Sequence, residues 1–289
     1  AGIGKTAVVE AFTAQLQARG SLRIARGQCS EAYGNGAAYL PILEALGHLC
    51  RQADGDALIA LLRQQAPTWL GHIPGFLPAA EPVLVPENLR GATRERMLRE
   101  IAAVLETLAT ERVLLLILED LHWSDTATLE WLSYVARRRD PARLLVLTTY
   151  RPAAARDMAH SVDVLAQDLL VHRQATTLRV GALSAPEVMQ YIAGRFGTGT
   201  LVEGLAPMLY QRTQGHPLFL ATTVTDWQRR GMLRHGIEGW DFTASLDAAS
   251  VDVPETLESD LFDHYCAQVQ AREQGFDRAG FAAAYADVG

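Results

Sequence analysis

Three cysteines, Cys29, Cys50 and Cys266, stand far apart in 289 residues and form no Cys-x-x-Cys pair. That spacing excludes a disulfide framework and a zinc knuckle, both of which need grouped thiols. The eight histidines are scattered without metal-ligand spacing. Basic charge is in deficit as well: 26 Lys and Arg against 33 Asp and Glu give a net charge of −7. A nucleic-acid surface spread over the whole molecule is thereby excluded, because backbone binding needs clustered cations. The apolar run 113–118 is far short of the ~20 residues that cross a bilayer, and no signal-peptide pattern opens the chain. With few thiols, no membrane span and no leader, the cytoplasm is the expected compartment. No internal repeat or low-complexity tract is present. What remains is an ordinary folding composition, 49% apolar and 20% charged, in a chain long enough for more than one compact unit.

Periodicity divides the chain. Helical patterns are predicted over 5–19, with Val8, Val9, Phe12 and Leu16 on one face, then from Pro41 to Leu49, over 56–65 and over 94–110. Residues 66–91 hold five of the twelve prolines, and read as an irregular insertion. Strands are predicted at 22–27, 113–118, 144–150 and 177–180, with helices at 125–138 and 158–171 between them. Near-continuous apolar strands alternating with helices imply a parallel sheet covered on both faces. From Ser184, where Glu187 completes a capping box, only helices follow: one through Val188 and Ile192, then 201–212 and 217–230. A short hairpin is expected around 231–242.

Two constellations carry chemistry. Gly2-Ile3-Gly4-Lys5-Thr6 matches the end of the phosphate loop G-x-x-x-x-G-K-[ST]. Glycines there let backbone N–H groups approach phosphate oxygens, lysine reaches the terminal phosphates, and the Thr6 hydroxyl suits Mg²⁺ at a helix N-terminus. The apolar run 113–118 ends in Glu119-Asp120, delivering two carboxylates to the C-terminal edge where ligands of open α/β sheets bind. One carboxylate can hold Mg²⁺ and the other can orient and deprotonate an attacking water.

The segment 119–125, Glu-Asp-Leu-His-Trp-Ser-Asp, followed by a helix and then Leu-Leu-Val-Leu-Thr-Thr-Tyr-Arg-Pro at 144–152, resembles the ATPase module of STAND regulators. These are AAA-like ATPases found in large LuxR-type and winged-helix transcription regulators and in adenylate-cyclase or kinase fusions. The resemblance implies a P-loop NTPase core with ATP and Mg²⁺ as cofactors and catalytic roles for Asp120, Glu119 and Arg151. It places Thr148, Thr149 and Arg151 as polar sensor and γ-phosphate arginine, and assigns Thr6 and Glu119 to the metal. It also matches Gly215-His216-Pro217 to a G-x-P signature near the base and ribose, although Gly215 ending one helix and Pro217 starting the next is a sufficient local reason. Glu119 departs from the family pattern, which has Asp first in the acidic pair.

The expected organisation is a P-loop core at 1–182, a helical lid at 183–234, a hairpin and the start of a following unit at 235–257, and a helical tail at 258–289. The tail faintly resembles aminoglycoside-phosphotransferase-like kinases over 262–289. The strand that precedes a phosphate loop is missing from the start of the chain, so the chain alone is expected to be poorly stable or blind to nucleotide. The resemblance implies an ATP-driven switch whose partners are ATP and, in a larger parent, protein partners or further copies. The competing reading is a non-hydrolysing interaction module with structural nucleotide or none. An origin-recognition-type DNA binder is disfavoured by the acidic balance.

Overall fold

A computed structural model describes residues 2–20, 22–30, 38–70, 72–73, 94–138, 142–152, 159–236 and 239–242. They fall into two compact units, Lys5–Arg179 and, together with residues 2–4, the residues from Val180 onward. Residues 243–289, which hold the expected helical tail and its expected kinase resemblance, lie outside the described residues.

The first unit is a mixed α/β layer built on three parallel strands. β1 (Arg23–Gln28) pairs with β2 (Leu114–Glu119), and β2 with β3 (Leu144–Thr148), in the order β1-β2-β3. Residues 114–118 of β2 are all apolar and buried, as a strand covered on both faces requires. Leu115 and Ile117 meet Val9, Phe12 and Leu16 of α1 (Lys5–Arg19). Leu114, Leu116 and Leu118 turn the other way, into a larger core with α2 (Leu40–Cys50), α3 (Gly55–Gln65), α4 (Pro67–Leu70), α5 (Arg94–Glu111) and α6 (Thr126–Ala136). α7 (Ala159–Val171) adds Val162 to this core.

The free edge of β1 is closed by α2. Gln52 Nε2 donates to the Ile24 carbonyl at 2.9 Å, and Glu44 Oε2 accepts from the Gln28 N–H at 2.9 Å. These bonds occupy backbone groups that an exposed edge would offer to another strand. The approach is close enough that a Cβ at Gly27 would lie 1.8 Å from the Pro41 carbonyl oxygen. Arg23, at the start of β1, joins Asp54 Oδ2 at 2.8 Å and Glu111 Oε2 at 3.0 Å, tying the strand to α5 and to the turn before α3. Beyond β3 this sheet has no further strand among the described residues, and Leu145 is 45% exposed.

Three expectations change. Residues 177–180 are not a strand: 171–182 are all exposed, Leu178 at 82%. Alternation specifies a strand only where a neighbour takes up its ladder bonds. Val8 points outward at 51% exposure, and Thr13 joins Val9 on the buried face of α1 instead. Within the proline-rich stretch, residues 67–70 form the single turn α4, with Trp69 fully buried; residues 74–91 lie outside the described residues.

The second unit packs α8 (Ala185–Phe196), α9 (Thr200–Thr213) and α10 (Pro217–Arg229) around Val188, Ile192, Leu205, Leu209, Val224 and Trp227. The antiparallel hairpin of β4 (Leu233–Gly236) and β5 (Gly239–Phe242) lies on the same core. Its Trp240 meets Phe196 edge-on, with centroids 4.9 Å apart. α8 starts at the predicted capping box, where Glu187 Oε2 accepts from both the N–H and the hydroxyl of Ser184 at 2.7 Å.

Candidate functional site

Gly2 and Gly4 take φ values of +68° and +92°, a region in which L side chains are strained, and the half-buried Ile3 stands between them. α1 begins immediately afterwards at Lys5. Residues 2–4 group with the second unit, within which the Gly2 carbonyl accepts from the Leu218 N–H at 3.2 Å. A Cβ at Gly2 would come within 2.5 Å of Leu218 Cδ2. The unit thus brings the predicted Gly2 up to the first turn of α10, which Pro217 opens. Gly215 has a structural reason of its own. It follows Gln214, the left-handed cap of α9, with φ +70°, and a Cβ there would lie 1.8 Å from the Leu183 oxygen.

In the first unit, parallel pairing carries Glu119 and Asp120 to the C-terminal end of the sheet, where the first turn of α1 also lies. Thr6 Oγ1 donates to Glu119 Oε2 at 3.0 Å. The Lys5 amine is shifted down, first by partial burial. The Asp120 carboxylate opposes that shift and the Arg151 guanidinium adds to it. Lys5, Asp120 and Arg151 therefore share one electrostatic neighbourhood, with Arg151 itself exposed to solvent. Lys5 is also the only lysine in the chain, a signal that motif matching alone passes over.

Asp120 sits at φ 55°, ψ 44°, in the left-handed region. Asp tolerates it better than most residues, because its short polar side chain can bond locally. Thr149, 9% exposed, holds this turn from the strand alongside. Its Oγ1 accepts from the Asp120 N–H at 3.0 Å, its carbonyl accepts from the Leu121 N–H at 2.8 Å, and its own N–H donates to Leu118 O at 3.1 Å. A single 3-10 turn, Leu121–Trp123, follows, and Asp125 then caps α6.

The His122 side chain is only 9% exposed, with Nδ1 3.9 Å from Asp120 Oδ1. Neither ring nitrogen has a hydrogen-bond partner among the described residues. Burial pushes its pKa below the ordinary 6.5; Asp120 opposes the shift, while Arg151 and Lys5 reinforce it. The folded state therefore prefers the neutral ring, and the unfolded chain takes up the proton first on acidification. Stability from this residue is complete above about pH 6.5 and falls as pH drops below it, levelling off once the folded-state value is passed. The thermal midpoint should decline over that window and decline less in His122→Gln. Equal slopes would assign the acid sensitivity to other groups.

The donor set fits the expected cofactors. Thr6 and Glu119 bring two hard oxygens within 3.0 Å of each other, the ligand type Mg²⁺ prefers. The N-terminus of α1, which begins at Lys5, is the kind of backbone that binds anions. Among the described residues no group of three or more His, Cys, Asp and Glu placed to hold a metal ion is found, and no helix is long and apolar enough to cross a membrane. A search of curated proteins finds no match to the chain. Residues 1–147, just over half of the 289, match the model of the AAA ATPase domain. With a parallel α/β sheet, a glycine-lysine-threonine turn and an acidic strand end bonded to it, the chain belongs to the AAA ATPase domain family.

Proposed function

We propose that this chain is the ATP-binding, slowly ATP-hydrolysing switch module of a multidomain signalling or transcription regulator of the STAND class, acting in the cytoplasm. The observation that carries the reading is the 3.0 Å bond from Thr6 to Glu119, between residues 113 positions apart. It joins a phosphate-loop hydroxyl to an acidic strand end, the two groups that must meet around a nucleotide-bound cation. In this reading the amides of Gly2, Ile3 and Gly4 and the Lys5 amine hold phosphate oxygens, and Thr6 and Glu119 hold Mg²⁺. Asp120 orients water and takes its proton, Arg151 senses the γ-phosphate, and Gly215 and Pro217 approach the base and ribose. Mg²⁺, when bound, neutralises charge on the phosphate oxygens. Nucleotide state then biases contacts with protein partners or further copies in the parent, and hydrolysis resets it.

The test is ATP·Mg²⁺ calorimetry on the chain and on a form extended upstream of Ala1, each beside Lys5→Ala. Binding by the extended form, weakened at least about a hundredfold by Lys5→Ala, is the expected result, since a lost charge-assisted phosphate contact in a partly buried site costs about 3 kcal/mol. A lysine-selective reagent gives a second readout, because Lys5 is the only lysine and its amine is shifted down. ATP should protect it from labelling. No binding in either form would overturn the reading in favour of a nucleotide-independent interaction module.

A further inference from the structure

We infer that Thr149 is a positioning residue for ATP hydrolysis, acting through the backbone of Asp120 rather than through contact with the nucleotide. This rests on the switch reading above. A non-glycine residue in the left-handed region persists only where its surroundings hold it, and Asp120 is so placed at φ 55°. Two of the bonds that hold it come from one residue: Thr149 Oγ1 accepts the Asp120 N–H at 3.0 Å, and Thr149 O accepts the Leu121 N–H at 2.8 Å. Thr149 is in turn fixed by its N–H to Leu118 O at 3.1 Å, and is buried. The hydroxyl accepting from Asp120 thus lies inside the protein, spent on the main chain of the acidic pair. Its removal leaves the Asp120 amide unpaired and lets residue 120 relax toward commoner backbone conformations, which redirects its carboxylate.

Thr149→Val removes the acceptor at nearly constant shape; Thr149→Ser retains it. Two measurements separate the roles. Amide hydrogen exchange at Asp120 needs no nucleotide, and its protection should fall about tenfold or more in Thr149→Val, the loss of one hydrogen bond. In the form that binds ATP, single-turnover hydrolysis should slow by on the order of a hundredfold through misplacement of the carboxylate. ATP affinity should stay within about twofold, because binding rests on other groups. Thr149→Ser should restore exchange and rate together, which a merely structural loss of packing would not predict. Unchanged exchange at Asp120, a rate equal to wild type in Thr149→Val, or rate and affinity falling in parallel would each overturn the inference. Failure of the wild-type protein to bind ATP at all would instead overturn the switch reading, whatever the exchange result, and the catalytic role of Thr149 with it.

Discussion

Asp120→Asn is expected to slow ATP turnover by about two to four orders of magnitude, the range associated with loss of a positioned general base. ATP affinity should remain within about threefold. Asparagine is the informative replacement because it keeps the shape of the side chain and, like aspartate, tolerates the left-handed conformation that residue 120 adopts. The bonds from Thr149 to the backbone of residues 120 and 121 stay available, so what disappears is the charge and the proton acceptor. Asp120→Ala would confound these, adding about 1 kcal/mol of backbone strain to the chemical loss. A secondary effect follows at Lys5. Asp120 is the carboxylate that opposes the downward shift of the Lys5 amine, so the amine in Asp120→Asn should titrate lower still and label faster at neutral pH. Steady-state phosphate release, calorimetry and rate of amine labelling measure the three quantities. Wild-type turnover in Asp120→Asn would remove Asp120 from the reaction and leave Glu119, already bonded to Thr6, as the only acid of the pair in use.

Much of the first unit was readable because its signals are redundant. The run 113–118 is apolar at every position, and its residues 114–118 form a strand covered on one face by α1 and on the other by the larger helical core. The Thr6 to Glu119 pairing was readable in a different way. Neither residue is distinctive alone; the bond between them accords with the phosphate-loop reading, and the metal role given to the pair belongs to the proposal above. The failures have the opposite character. The pattern at 177–180 alternates correctly, yet a strand is a property of two segments, and no partner pairs with this one among the described residues. The left-handed turn at Asp120 was illegible because aspartate also serves in ordinary turns and at helix starts, as Asp125 does at α6. Nothing in the spacing marks which aspartate is strained. Thr149 was legible as a polar residue within the predicted strand 144–150 but not as a backbone clamp, since that depends on strand register: Leu118 pairs with Thr148, which sets Thr149 beside Asp120.

The proline count concealed a fully buried tryptophan. Trp69, on the one-turn helix α4, is fully buried; its Nε1 donates to the Met97 carbonyl at 2.9 Å and its ring centroid lies 5.1 Å from that of Tyr39. Trp69→Ala should cost about 3–5 kcal/mol, the usual range for truncating a fully buried aromatic residue. Trp69→Phe, which keeps most of the ring but strands the Met97 acceptor, should cost about 1–2 kcal/mol. The effect should also reach the site. Tyr39 is held at φ 65° with its N–H on Asp125 Oδ1 at 3.1 Å, and the same carboxylate caps α6 through the Thr128 N–H at 2.9 Å and hydroxyl at 2.6 Å. Loss of the tryptophan ring removes the support under Tyr39, and with it one of the bonds that fix the chain just after the acidic pair. Urea unfolding with an unchanged m-value would report the stability term, and amide exchange at Tyr39 and Thr128 would report the local one. A cost below about 1 kcal/mol in Trp69→Ala, against the burial expectation, would make α4 an appendage to the core. A large cost with unaltered exchange at Tyr39 and Thr128 would confine its role to packing and leave Asp125 to hold the segment after Asp120 by itself.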